Sequence, residues 1–269
     1  MSAILVTTLV LAAIGLVCGV ALAAVAKKFA VPENPLVGEI LALLPGANCG
    51  GCGRPGCDGY ARDIAENGAP LNLCTACNAD MLAAREALTG RAGGAVAEKR
   101  VALVRCTGGF DAATRRFDYN GLADCAAAQA VAGGDKGCSY GCLGYGSCVR
   151  VCQSAAISVV NGVAVVDPAK CGGCGACVRA CPRHVIELVP ASHKVHVLCV
   201  SKDRGPAVRK VCTNGCLGCG LCAKLAPEGA VKLDGFLASV DYSKPPMGEE
   251  AASKIREKCP TKCFGESKK

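Results

Sequence analysis

The chain has 269 residues, enough for two or three small domains, and 23 of them are cysteine. Aromatic residues are 4% and tryptophan is absent, so the apolar core is small for the length and much of the fold has to be held by something other than burial. The formal charge of +8 counts every cysteine as neutral, and no Lys/Arg run is interleaved with aromatics, so the basic balance does not point to nucleic acid.

Ile4–Ala26 is an uncharged apolar run long enough to cross a bilayer as a helix. Lys27 and Lys28 follow at once, which by the positive-inside rule keeps the rest of the chain in the cytoplasm. No basic segment precedes the run and no cleavage site precedes Lys27, so a secreted disulfide scaffold is not expected. Cys18 lies mid-span and reads as a small apolar residue. Residues 29–45, with Pro32, Pro35 and Pro45, read as a short tether.

Cys49, Cys52, Cys57 and Cys74 then follow in the spacing C-x2-C-x4-C-x16-C, amid glycines that let the backbone approach a bound group closely. Cys77 is an alternative to Cys74 as the fourth ligand. Tyr60–Glu66 reads as a helix ended by Asn67-Gly68. Neither a G-x-G-x-x-G nor a G-K-[ST] pattern is present, so no nucleotide site is expected. Arg91–Glu98 is a Gly/Ala linker. Arg100–Cys106 reads as a strand ending in cysteine with Cys125 beyond it, and Lys194–Cys199 with Cys212 repeats that pattern. These four cysteines have two readings: buried structural thiols, or ligands of a further cluster.

Between them, Cys171, Cys174, Cys177 and Cys181-Pro182 give C-x2-C-x2-C-x3-C-P, the spacing of a two-cluster ferredoxin in which the last cysteine crosses to the other [4Fe–4S] cluster. Cys138, Cys142, Cys148 and Cys152 form a looser first run. Crossing then assigns Cys138, Cys142, Cys148 and Cys181 to one cluster, and Cys171, Cys174, Cys177 and Cys152 to the other. Ile157–Val166 between the runs is a hairpin around Asn161–Gly162. A second unit carries Cys216, Cys219, Cys222 and Cys259-Pro260, with Ala226 where the crossing cysteine belongs and a hairpin around Asp234–Gly235. Glu249–Lys258 reads as its helix. This unit keeps one cluster, and the ligands of its second are missing together. Twenty cysteines make five sets of four, leaving Cys18, Cys77 and Cys263. Five such clusters would contribute about −10 and bring the loaded protein near neutrality. The three histidines (His184, His193, His196) form no pair beside cysteines, so a Rieske centre is not expected.

The order of apolar anchor, C-x2-C-x4-C-x16-C segment and ferredoxin modules resembles the B subunits of the Rnf complexes, membrane-bound ferredoxin:NAD oxidoreductases that pump Na+ or H+. The matching stretches are Leu44–Cys52 with Cys57 and Cys74, Gly137–Cys148, and Ser201-Lys-Asp-Arg-Gly205. The resemblance implies an electron-relay subunit without a substrate-converting site. It would take low-potential electrons from reduced ferredoxin and pass them to partner subunits that carry flavin and further clusters. Many relatives carry a full second ferredoxin module, from which this chain departs at Ala226. The rival readings are a relay for another membrane oxidoreductase and a zinc-rich tethered interaction protein.

The expected fold class is α+β: an anchor helix (1–28), a small helical [4Fe–4S] domain with its linker (29–98), a connecting α/β segment (99–136), a two-cluster ferredoxin module (137–191), a second connecting strand and loop (192–212), and a ferredoxin-like module with one cluster (213–269).

Overall fold

A computed structural model describes residues 3–28, 34–94 and 98–266. Pro32 of the tether and residues 95–97 of the linker lie outside them. Helix α1 (Ala3–Lys28) is apolar on every face, and none of the span Leu5–Val25, of mean hydropathy 2.6, is buried against the protein. It is one helix long and apolar enough to cross a membrane.

The next unit is helical. Asn34 caps α2 (Pro35–Ala42), whose Pro35 sits where a missing N–H costs nothing. Helix α3 (Gly56–Asn67) closes on Gly68 in the left-handed conformation, as its Asn-Gly ending predicts. Asn78 caps α4 (Ala79–Thr89). The faces carrying Ile40, Tyr60, Ala61, Ile64 and Leu82 form one core, and Cys52, Cys57, Cys74 and Cys77 pack with it.

The rest of the chain is one unit built twice. In the first copy, β1 (Arg100–Val104) is followed by α5 (Cys125–Ala130), α6 (Ser147–Arg150), the hairpin β2 (Ile157–Val160) and β3 (Val163–Val166), α7 (Ala176–Ala180) and β4 (Ile186–Pro190). In the second, β5 (Val195–Val197) is followed by α8 (Gly205–Val211), α9 (Leu221–Leu225), the hairpin β6 (Val231–Asp234) and β7 (Leu237–Val240), α10 (Glu249–Lys258) and β8 (Phe264–Glu266). The opening strand pairs antiparallel with the closing strand in each copy, β1 with β4 and β5 with β8. The segments that read as connectors therefore supply a strand to the module that follows them. Each copy has its own core, centred on Leu103, Val166 and Val189 in the first and on Ala238, Ile255 and Phe264 in the second.

Both hairpins form, with one difference. Asn161 and Gly162 both take positive φ (51° and 70°), the primed turn that suits strand twist. In the second hairpin Asp234 pairs with Leu237, so the turn residues are Gly235 and Phe236, one place later than the Asp-Gly signal predicts. Gly235 at φ 58° explains the shift, since a turn needing positive φ only at its first position takes Gly there and leaves Asp234 in the strand.

Candidate cluster sites

Three loops share one construction. Each reads C-x-G-x-G-x-C: Cys142 to Cys148, Cys171 to Cys177, and Cys216 to Cys222. The second glycine (Gly146, Gly175, Gly220) is left-handed and caps a short helix, α6, α7 or α9. The first one also has positive φ and lies on neighbouring backbone. A Cβ on Gly144 would come within 2.5 Å of the Gly162 carbonyl oxygen, and one on Gly218 within 2.6 Å of that of Phe236. Both carbonyls belong to hairpin turns. These two loops are thus pinned against their own hairpins by a contact only glycine allows. The third, at Gly173, is held in the same way against the Arg100 carbonyl of β1.

These loops gather the thiols into groups. Cys125, Cys142, Cys148 and Cys181 line one chamber. Cys216, Cys219, Cys222, Cys259 and Cys263 line another. Cys152, Cys171 and Cys174 surround Cys177. Near α3, Cys49 lies close to Cys74, and Tyr60 lies close to Cys74 and Cys52. Asn48 holds the turn by accepting the Cys57 N–H at 2.7 Å. Cys106, Cys138, Cys199 and Cys212 line a fifth chamber.

Two of the expected sets are regrouped. Cys138 does not join Cys142, Cys148 and Cys181; Cys125 does. Conversely, Cys125 does not join Cys106, Cys199 and Cys212; Cys138 does. The cause is visible in the two copies. Residues 138–148 read C-S-Y-G-C-L-G-Y-G-S-C and residues 212–222 read C-T-N-G-C-L-G-C-G-L-C. Aligned this way, the first loop begins at Cys142, and Tyr145 stands where the second copy has Cys219. Cys125 takes that role from α5, where its N–H donates to Ser147 Oγ at 2.7 Å and Asp124 caps the helix. The repeated C-[S/T]-x-G-C-L-G was the signal in the sequence.

Cys263 is the cysteine that spacing missed. It is buried, its Sγ lies 3.9 Å from that of Cys259, and it stands where the first copy has Val185. Leu198 N–H bonds to the Cys263 carbonyl just as Arg105 N–H bonds to that of Val185. Cys77 stands beside Cys74 in a similar way. Cys18 is exposed on α1, and Ala226 is half-buried in the second core.

Burial pushes the thiols of Cys142, Cys177, Cys199 and Cys222 up to about 11 and that of Cys148 to about 12. The buried Cys263 thiol, which has one proton to share between its two neighbours, lowers Cys216 and Cys259 and is itself raised. Cys77 lowers Cys74 to about 6 in the same manner and is itself raised. The thiols that burial raises are therefore neutral until a metal displaces their protons.

The donor sets suit iron–sulfur groups. Backbone N–H groups of Ala102, Ala156 and Ala164 donate to the sulfurs of Cys171, Cys152 and Cys142 at 3.3, 3.3 and 3.5 Å. Such bonds stabilise the negative charge of a thiolate-bound cluster. Among the described residues no three His, Cys, Asp or Glu side chains converge tightly enough to grip a single ion; the cysteines ring wider spaces instead. Of the histidines, His184 is exposed and His193 and His196 are buried against Tyr242.

Comparison with known proteins agrees with this chemistry. Residues 44–76 match a family described as a putative Fe-S cluster, and residues 170–230 match the 4Fe-4S dicluster domain family. The second match spans two loops that belong to different copies of the repeated unit. The chain is 44% identical over 246 residues to the B subunit of the ion-translocating oxidoreductase complex of Methanosarcina acetivorans, covering 91% of this chain and 93% of the relative. It is 42% identical to the B subunit of the Na(+)-translocating ferredoxin:NAD(+) oxidoreductase complex of Acetobacterium woodii, over 98% of this chain and 78% of that one. It is 44% identical to the B subunit of the proton-translocating ferredoxin:NAD(+) oxidoreductase complex of Clostridium ljungdahlii, over 97% and 92%.

Proposed function

The chain belongs to the family of B subunits of ion-translocating oxidoreductase complexes, and on that basis we propose that it is a membrane-anchored relay, passing single electrons from reduced ferredoxin towards partner subunits that carry flavin and further clusters. It has no substrate-converting site of its own on this reading. The observation that carries it is that the thiol groups of the N-terminal unit and of the first ferredoxin module lie against one another. Gly51 lies against the Cys174 backbone, where a Cβ would come within 3.0 Å of the Cys174 Cα. Cys148 in turn lies close to Cys177.

Four sets hold [4Fe–4S] groups on this reading: Cys49, Cys52, Cys57 and Cys74; Cys152, Cys171, Cys174 and Cys177; Cys125, Cys142, Cys148 and Cys181; and Cys216, Cys219, Cys222 and Cys259. Such a group, when bound, stores and releases one electron without breaking a bond. The residues around it do the rest. The glycine loops bring backbone N–H groups to sulfur and favour the more negative, reduced state, while the apolar walls keep water out and oppose it. The balance sets each potential.

Lys27 and Lys28 directly after the apolar span favour a cytoplasmic location for the cluster-bearing part. Protease treatment of inside-out vesicles checks this; a shielded C-terminal part would refute it.

The relay is tested on the full chain, purified anaerobically in detergent, by iron, acid-labile sulfide and zinc content and by reduction with reduced ferredoxin. At least about 16 iron with matching sulfide, bleached on reduction, is the expected result. Zinc without sulfide, or clusters that reduced ferredoxin leaves oxidised, would overturn it.

A further inference from the structure

The two copies of the repeated unit do not merely follow each other; they share a set of four thiols. Cys106 stands two residues beyond β1 and Cys199 two residues beyond β5. Cys138 precedes Cys142 by four positions, and Cys212 precedes Cys216 by the same four. The backbone contacts match as well. Cys142 N–H donates to Cys106 Sγ at 3.4 Å, and the Cys216 backbone N–H lies beside the Cys199 thiol. Each copy thus contributes one thiol after its opening strand and one before its cysteine loop, and all four line one chamber.

We propose that Cys106, Cys138, Cys199 and Cys212 hold a [4Fe–4S] cluster at the seam between the copies, and that this cluster joins the first ferredoxin module to the second. It rests on the relay reading for the chemistry of the group, and deepens it by adding a site whose four cysteines do not form a set within either matched family.

Three further observations point to an anionic occupant. Lys136 lines the chamber and is buried. Its ammonium donates to the carbonyls of Gly108, at 2.7 Å, and Cys142, and it forms no ion pair with a carboxylate among the described residues. A buried cation satisfied only by carbonyls lacks a counter-charge, which a thiolate-bound cluster supplies. Secondly, backbone N–H groups surround these sulfurs: that of Cys142 donates to Cys106 Sγ, and those of Ser201 and Cys216 lie beside Cys199 and that of Asn214 beside Cys212. Thirdly, glycine lines the space. A Cβ on Gly108 would come within 3.2 Å of Cys212 Sγ, and one on Gly141 within 3.5 Å of Cys138 Sγ and 3.6 Å of Cys106 Sγ. The Ser201–Gly205 stretch begins at the same place, with Ser201 in the chamber wall.

The location decides the role. The N–H of Cys142, which lines the chamber of Cys125, Cys148 and Cys181, reaches this site, and the N–H of Cys216 from the second module lies beside it. Electrons crossing from one module to the other pass here one at a time, with no bond made or broken and no proton required.

Iron and sulfide are measured on the full chain for four forms: wild type, Cys199→Ala/Cys212→Ala, and that double variant with either Cys138→Ala or Cys125→Ala added. The double variant should hold about four fewer iron and four fewer sulfide than wild type. Adding Cys138→Ala should remove no more, whereas adding Cys125→Ala should remove about four more. An unchanged double variant, or further loss with Cys138→Ala but none with Cys125→Ala, overturns the proposal. Cys212→Ser guards against a double variant that fails to fold, because a serine oxygen can replace the thiolate. One centre with a shifted midpoint in an anaerobic EPR titration, or loss of about four iron, supports the site. Wild-type iron with every midpoint unchanged overturns it. A wild-type chain without iron and sulfide would instead sink the relay reading, while about 16 iron in both wild type and the double variant would sink this site alone.

Discussion

Tyr60 shows how one side chain fixes a ligand loop. Its ring is buried in the N-terminal core, its hydroxyl donates to the Pro70 carbonyl at 2.6 Å, and it accepts the Leu73 N–H at 3.1 Å, one residue before Cys74. Tyr60→Phe leaves both backbone groups without a partner and should cost roughly 1–3 kcal/mol, read as a lower thermal midpoint. His196 is legible in the sequence only as a solvated or core histidine that forms no spaced pair beside the cysteines. Burial, together with nearby His193 and Arg105, lowers its pKa to about 4, while its Nδ1 meets the Tyr242 hydroxyl at 3.0 Å and Glu187 pairs with Arg105 beside them. The unfolded chain therefore takes up this proton before the folded one does. His196 contributes stability above pH 6.5 that is lost as pH falls towards about 4, in all up to about 3 kcal/mol. In His196→Phe the denaturation midpoint should fall less steeply over that window than in wild type; parallel curves would refute the buried neutral imidazole.

Among the elements, the hairpins and the cysteine loops are one device. Gly144 packs on the turn of β2 and β3, and Gly218 on the turn of β6 and β7, each at positive φ with carbonyl oxygen under 3 Å from where a Cβ would sit. Gly144→Ala and Gly218→Ala should each cost roughly 2 kcal/mol or more and lower the iron held by their own module. Gly265→Ala, in β8 with open space around it, should change stability by no more than about 0.5 kcal/mol. Several elements were readable because their signals are local, whereas the stretch that read as a tether forms α2, with Val37 and Ile40 buried in the N-terminal core. The Asn-Gly turn, the Asn67-Gly68 helix end and the bounds of α10 all follow from neighbouring residues. The pairing of β1 with β4 and of β5 with β8 was not, since those partners lie a whole module apart.

For the molecule as a whole, α1 stands apart from everything else described. The span Leu5–Val25 covers 21 residues, about 31 Å as a helix, which matches the apolar thickness of a bilayer. Nothing in the cluster-bearing part packs on it, so deleting residues 1–28 should release the chain from membranes with its iron and sulfide per chain unchanged. Persistent membrane association would assign the anchoring to another surface; a loss of iron would show that α1 supports a site.

The chemistry was already legible in the order of residues. Runs of cysteine among glycines at ferredoxin spacing specify iron–sulfur groups, because three closely spaced thiols can wrap only a neighbouring cluster. The anchor was legible too, since length and polarity alone tell whether a helix suits a bilayer. The partnering of thiols, by contrast, waited on the fold. Cys125 and Cys138 exchange places because Tyr145 stands in the first loop where a ligand would be, and because the strands β1 and β5 carry Cys106 and Cys199 to the seam between the copies. A fourth ligand can come from any segment the fold brings within reach, and spacing along the chain does not record that reach.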